Sequence, residues 1–119
     1  MRASIDKINQ LLSSKKTITI TTHTNPDGDA IGSSFALDHY LLKLNHNVKV
    51  ITPNKHPDFL DWVPGIENLE IFDDNPEKCN KILETSDLVF TLDYNDLKRA
   101  SKLGLAINQF KGITIMIDH

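Results

Sequence analysis

The chain has 119 residues, 39% hydrophobic and 24% charged, which suits one modest core rather than several. A net charge of −3, with Lys and Arg scattered singly apart from Lys15-Lys16 and Lys98-Arg99, excludes the electrostatic footprint of a duplex nucleic-acid binder. The single cysteine, Cys79, excludes an internal disulfide framework and any multi-cysteine metal site; helix packing is its expected role. No apolar run of about 18 residues and no signal-peptide core is present, so a cytoplasmic location without membrane contact is expected.

Ile5, Ile8, Leu11 and Leu12 recur at helical spacing after Ser4, a residue able to cap. Thr17 to Thr22 is β-branched throughout and runs into Asn25-Pro26-Asp27-Gly28, a strand ending in a sharp turn. From Asp29 to about Asn45, Ala30, Leu37, Leu41 and Leu44 share a helical face that Ile31, Phe35 and Leu42 broaden. Val48 to Ile51 predicts a second strand, with Pro53 and Pro57 breaking the pattern. Phe59, Leu60, Trp62 and Val63 form a short apolar segment in which Trp62 is expected in the core rather than as a stacking platform.

Leu69 to Phe72 is a weak third strand, and Asn75-Pro76 starts a helix to about Thr85 with Pro at its first position. Leu88 to Leu92 is a stronger fourth strand. Asp96 can cap a helix through Ile107, and Ile113 to Ile117 is a fifth strand. Strands alternating with helices predict an α/β fold: a doubly wound, mainly parallel five-stranded sheet with helices on both faces. Ligands of such sheets bind beyond the carboxyl ends of the strands. His23, Asp93, Asp118 and His119 follow directly on predicted strands, whereas Asp73 and Asp74, after the weak third strand, warn that an acidic strand end alone is no site.

His23, Asp27 and Asp29 put an imidazole and two carboxylates into seven residues between strand and helix. Such donors without thiolate suit Mn, Mg, Zn, Co or Fe, and a carboxylate majority favours the harder ions Mn or Mg. Asp27, Asp29 and Asp93 gathered at strand ends would repel one another unless cations intervened. Two ions roughly 3.5–4 Å apart, bridged by a carboxylate such as Asp93, can activate water and neutralise a phosphoryl group. Gly28 is expected to let the backbone turn between the two acids, with Pro26 stiffening the approach. Against this stands a plainer account, in which Asn-Pro-Asp-Gly is a common turn and Asp29 only a helix cap.

Other motifs fail on residues. An EF-hand loop starting at Asp27 would place Ile31 at a ligand position and Asp38 where a bidentate Glu is needed. Gly28 to Ser33 lacks the Lys of a phosphate-binding P-loop and the spacing of a dinucleotide fingerprint. Ser33 and Ser34 can touch a ligand or serve packing, and Arg99 can meet a phosphate or be solvated. For Asp93, with Asn95 and Asp96 behind it, ligand and strand end weigh equally. His39, His46 and His56 have no carboxylate at ligand spacing, so surface or packing roles are expected.

His23-x3-Asp27-x-Asp29 followed by Ala30-Ile31-Gly32-Ser33, the later Asp93, and the terminal Asp118-His119 resemble the DHH phosphoesterases. The wording from Asn25 to Ser33 is closest to the branch of RecJ-like exonucleases and NrnA-type oligoribonucleases that also act on phosphoadenosine phosphate; family II pyrophosphatases are more distant. The resemblance implies that His23, Asp27, Asp29, Asp93 and His119 bind two Mn2+ ions, with Mg2+ or Co2+ as alternatives. It further implies that Asp93 bridges the ions and Asp118 orients His119. The implied substrate is a short single-stranded oligonucleotide or a nucleotide phosphate, hydrolysed by metal-activated water, with Ser33 and Arg99 as substrate contacts.

The family motif continues with a second His, and this sequence ends at His119. Residues 1–119 are therefore expected to be the N-terminal part of a DHH domain without its C-terminal substrate-binding domain. Five donors leave two ions under-coordinated, so this piece alone should bind metal weakly and be inactive. A noncatalytic nucleotide- or metal-sensing module is the alternative class, discriminated by whether a His or a hydrophobic residue follows His119. A pyrophosphatase or exopolyphosphatase of the same superfamily is the alternative within the class.

Overall fold

The computed structural model describes residues 5–92 and 101–117. In chain order the elements are α1 (Ile5–Leu11), β1 (Thr17–Thr21), α2 (Gly28–Lys43), β2 (Asn47–Thr52), β3 (Glu70–Ile71), α3 (Pro76–Glu84), β4 (Leu88–Leu92), α4 (Ser101–Gln109) and β5 (Ile113–Ile117). Two 3-10 turns, Asp58–Leu60 and Ile66–Asn68, occupy the β2–β3 connection. The five strands form one sheet in the order β3-β2-β1-β4-β5, and every pairing is parallel. The predicted α/β class, strand number and parallel sense are thus present. Among the described residues no helix is long and apolar enough to cross a membrane.

Interior parallel strands are covered on both faces, which is why β4 is buried at every position and β1 at four of five. Alternation sends Ile18, Ile20, Val50, Phe90 and Ile115 to the face packed by α1 and α2, with Ile31, Phe35 and Leu41 as the helix contribution. Each such side chain contributes about 1.5–3 kcal/mol on burial. The opposite face holds Ile51 and Val89 against Cys79 and Leu83 of α3 and Leu103 and Ile107 of α4. Burial pushes the Cys79 thiol up to about 11, so it packs as a neutral apolar group at physiological pH.

The buried stripe of α2 runs Ala30, Ile31, Ser34, Phe35, Asp38 and Leu41. Leu42 and Leu44, expected on that face, are exposed. The helix stops at Lys43, so Leu42 falls in its last turn and Leu44 is already the C-cap residue, where the covered part of the stripe has ended. Trp62 is also corrected: it is 75% exposed and Phe59 is 73% exposed, while Leu60 and Val63 are buried. Successive i→i+3 bonds, Asp61 N–H to Asp58 and Val63 N–H to Leu60, put residues three apart on one side. One side of this segment meets the core and the other carries the two aromatics.

Candidate metal centre at the β1–α2 loop

From β1 the chain winds outward through β2 to β3, then returns to the other side of β1 as β4 and continues outward to β5. The carboxyl ends of β1 and β4 therefore flank the point where winding reverses, where open parallel sheets bind ligands. Thr21 pairs with Thr91 and Thr91 with Met116, so β1, β4 and β5 finish abreast. The loop carrying His23, Asp27 and Asp29 leaves β1 here.

Local chemistry shapes that loop. The half-buried His23 donates Nδ1–H to the Thr24 carbonyl at 2.8 Å, since a carbonyl can only accept. This selects the tautomer whose Nε2 carries a free lone pair, the form a metal ligand requires. Asp27 is the N-cap of α2; its Oδ1 accepts the Ala30 N–H at 2.9 Å, which fixes the carboxylate and leaves further lone pairs for a cation. Asp29 lies in the first turn, where the helix dipole favours its charge.

The left-handed residue of the loop is Asn25, at φ 55°, not Gly28. Gly28 is the first residue of α2, and a Cβ placed on it would meet Leu60 Cδ2 at an ordinary 3.7 Å. The expected turning role of this glycine is corrected accordingly: Asn25 makes the kink, as Asn tolerates αL well. Asn54, beyond β2, holds Asn25 from both sides. Its Oδ1 accepts the Asn25 N–H at 2.6 Å and its Nδ2 donates to Asn25 Oδ1. Asn54 was not legible as a functional candidate, because its partner lies 29 residues away in another loop.

Of the predicted substrate contacts, Ser33 is half-buried in the second turn of α2. Its neighbour Ser34 is buried and spends its hydroxyl on the Ala30 carbonyl at 2.7 Å. Asp93, Asn95, Asp96, Arg99, Asp118 and His119 lie outside the described residues. Among the described residues no three His, Cys, Asp or Glu side chains gather closely enough to hold an ion by themselves. The donor set nonetheless fits a divalent cation: one imidazole in the right tautomer and two carboxylates, with no thiol.

The other histidines among the described residues are structural. His46 is buried and its Nδ1 accepts the Lys16 N–H at 3.0 Å. His56 is also buried, and contrary to expectation it has a carboxylate partner, donating Nε2–H to Asp61 at 2.8 Å. The exposed His39 bonds the Pro64 carbonyl at 3.1 Å. A cavity of about 530 Å3 lined by Asn80, Glu84, Ser86, Phe110 and Gly112 opens where α3 and α4 end and β4 and β5 begin, at the sheet edge opposite the loop.

Residues 17–119 match the family model described as DHH family, N-terminal domain, and the chain belongs to the DHH family. No curated protein matches it. Its fold is similar to the crystal structure of an exopolyphosphatase-related protein from Bacteroides fragilis, at 39% sequence identity and a TM-score of 0.94. That alignment covers 97% of this chain and 34% of the Bacteroides chain, so this chain spans about a third of its length.

Proposed function

We propose that this chain is the N-terminal part of a metal-dependent phosphoesterase of the RecJ-like and NrnA-type branch. It would cleave phosphodiester or phosphomonoester bonds in short oligonucleotides or nucleotide phosphates. The observation that carries this reading is that the His23–Asp29 loop of a DHH-family chain leaves β1 beside β4, where the sheet reverses its winding. His23, Asp27, Asp29, Asp93 and His119 are the residues we assign to two divalent cations, Mn2+ first, with Mg2+ or Co2+ as substitutes. When bound, such cations supply Lewis acidity and neutralise charge on a phosphoryl group.

The chain's own residues have defined tasks in this reading. The His23 tautomer is set before any ligand arrives, and the capped Asp27 needs no reordering. The positive end of α2, a helix of 16 residues, favours carboxylates and phosphate at the same place. Asp118 orients His119, while Ser33 and Arg99 contact the substrate phosphate. A net charge of −3 supports a small ligand over a long polyanion.

The Bacteroides neighbour, an exopolyphosphatase-related protein, favours a second reading in which polyphosphate is the substrate. Both readings are tested by incubating the protein at its full natural length with Mn2+ and, separately, phosphoadenosine phosphate, a short RNA and polyphosphate. Mn2+-dependent release of phosphate or mononucleotide from the first two supports the main reading. Turnover of polyphosphate alone supports the second, and Mn2+ binding with no turnover of any of them supports a sensor.

A further inference from the structure

We propose that Asn54 is a positioning residue that holds the His23–Asp29 loop in its cation-binding shape. The inference rests on the assignment of that loop to a divalent-cation centre. Asn54 stands in a turn that is itself tied to the sheet. Thr52 Oγ1 donates to the Asn54 carbonyl at 3.0 Å, the Phe72 N–H donates to the Thr52 carbonyl at 2.8 Å, and the Asp73 N–H donates to the Pro53 carbonyl at 3.1 Å. The β2 end is thereby fixed to β3, and the Asn54 side chain extends that fixture across to the next loop.

The Asn54 amide grips both backbone and side chain of Asn25, accepting its backbone N–H and donating to its side-chain oxygen. Both of its polar ends are used, so rotation of the amide would break two bonds at once. Asn25 is the residue that pays the local conformational cost of φ 55°, a region where non-glycine residues persist only when their surroundings hold them. It stands two residues after His23 and two before Asp27. Releasing Asn25 to extended backbone would swing the imidazole and the carboxylates relative to one another. The lever is thus a residue whose amide is spent on Asn25, 29 positions away in the sequence and supplied by a different strand end.

The test measures Mn2+ affinity by calorimetric titration, with the melting temperature of the metal-free protein as control, in the protein at its full natural length. Asn54→Ala is expected to weaken Mn2+ binding about ten- to hundredfold, the range for groups that orient ligands, with a metal-free melting temperature within a few degrees of the parent. Asn25→Gly keeps the left-handed turn available but loses the side-chain acceptor, and should weaken binding less. In the Asn25→Gly background, Asn54→Ala should then cost clearly less than it does alone, because the two act as one unit.

Parent-like Mn2+ affinity in Asn54→Ala, or penalties that add in full, overturns the proposal while leaving the metal centre standing. A parent protein that binds no Mn2+ overturns the metal centre and the proposal with it. Should Asn54→Ala fail to fold, Asn54→Ser, which is too short to make both bonds, carries the same expectation and the same contrary result.

Discussion

Two acidic loops at the same edge of the sheet look alike locally and differ in place. The β1–α2 loop has Asp27 capping α2 through Ala30 N–H, with Asp29 in the first turn. The β3–α3 loop has Asp73 and Asp74 followed by Asn75, which caps α3 by accepting the Lys78 N–H at 3.2 Å, with Glu77 in the first turn. Each is a strand, a few acids, a side-chain cap and a helix. However, β1 sits beside β4 at the reversal of winding, whereas β3 is a two-residue edge strand with β2 between it and β1. At about 4.8 Å per strand, the β3 end is roughly 14 Å from that of β4, whereas the β1 and β4 ends are neighbours. Cap chemistry starts a helix anywhere, and topology decides which start is a site.

The largest effect expected from this comparison is on function. Asp27→Asn keeps a good cap but removes the charge, so Mn2+-dependent hydrolysis by the full-length protein should fall at least about a hundredfold while thermal stability changes little. Asn75→Ala should do the reverse, costing about 1 kcal/mol in denaturant unfolding with activity per folded molecule retained. Comparable activity losses from both would erase the distinction between the loops.

Backbone strain sharpens the contrast next. Gly65 lies at φ 91°, and a Cβ there would come within 3.2 Å of Phe35 Cδ1, so Gly65→Ala is expected to destabilise by about 1–3 kcal/mol. Gly28, inside the motif, meets no such obstacle, and Gly28→Ala should stay within about 0.5 kcal/mol of the parent. Urea unfolding of the two variants checks both.

The smallest expected effect concerns Asp38, far from either loop. Burial raises its carboxyl above the ordinary value, partly offset by His39 and Lys49. The folded state therefore binds this proton more tightly than the unfolded chain. Its contribution to stability is full below the unfolded value of 3.8 and declines as pH rises through the raised folded value. Asp38→Asn should accordingly stabilise at pH 7 by less than about 1 kcal/mol, with the gain vanishing in acid. Melting curves at pH 3 and pH 7 read the difference.

What was legible in the sequence follows the range of the forces involved. The β-branched run Thr17–Thr21 and the apolar run Leu88–Leu92 announced strands because burial on both faces demands apolar or satisfied side chains along their whole length. The His23, Asp27 and Asp29 motif stands out as a candidate in the sequence because its three side chains are neighbours in the chain. Asn54 was not, since its hydrogen bonds cross between loops and leave no periodic trace. Trp62 misled because hydrophobicity alone does not say which side of a 3-10 turn faces the core, and its exposure follows from Leu60 and Val63 having taken that side. Leu44 misled through helix length: once α2 stops at Lys43, Leu44 is a cap residue rather than the next tooth of the stripe.

Comparing Asp93→Ala with Asp73→Ala in Mn2+-dependent phosphoester hydrolysis by the full-length protein tests most directly whether the cation centre belongs to the winding reversal. Asp93 follows β4 in the sequence and Asp73 follows β3. Near-complete loss in the first variant with parent-like turnover in the second is the expected result. Equal loss in both, or turnover surviving in Asp93→Ala, would contradict the account.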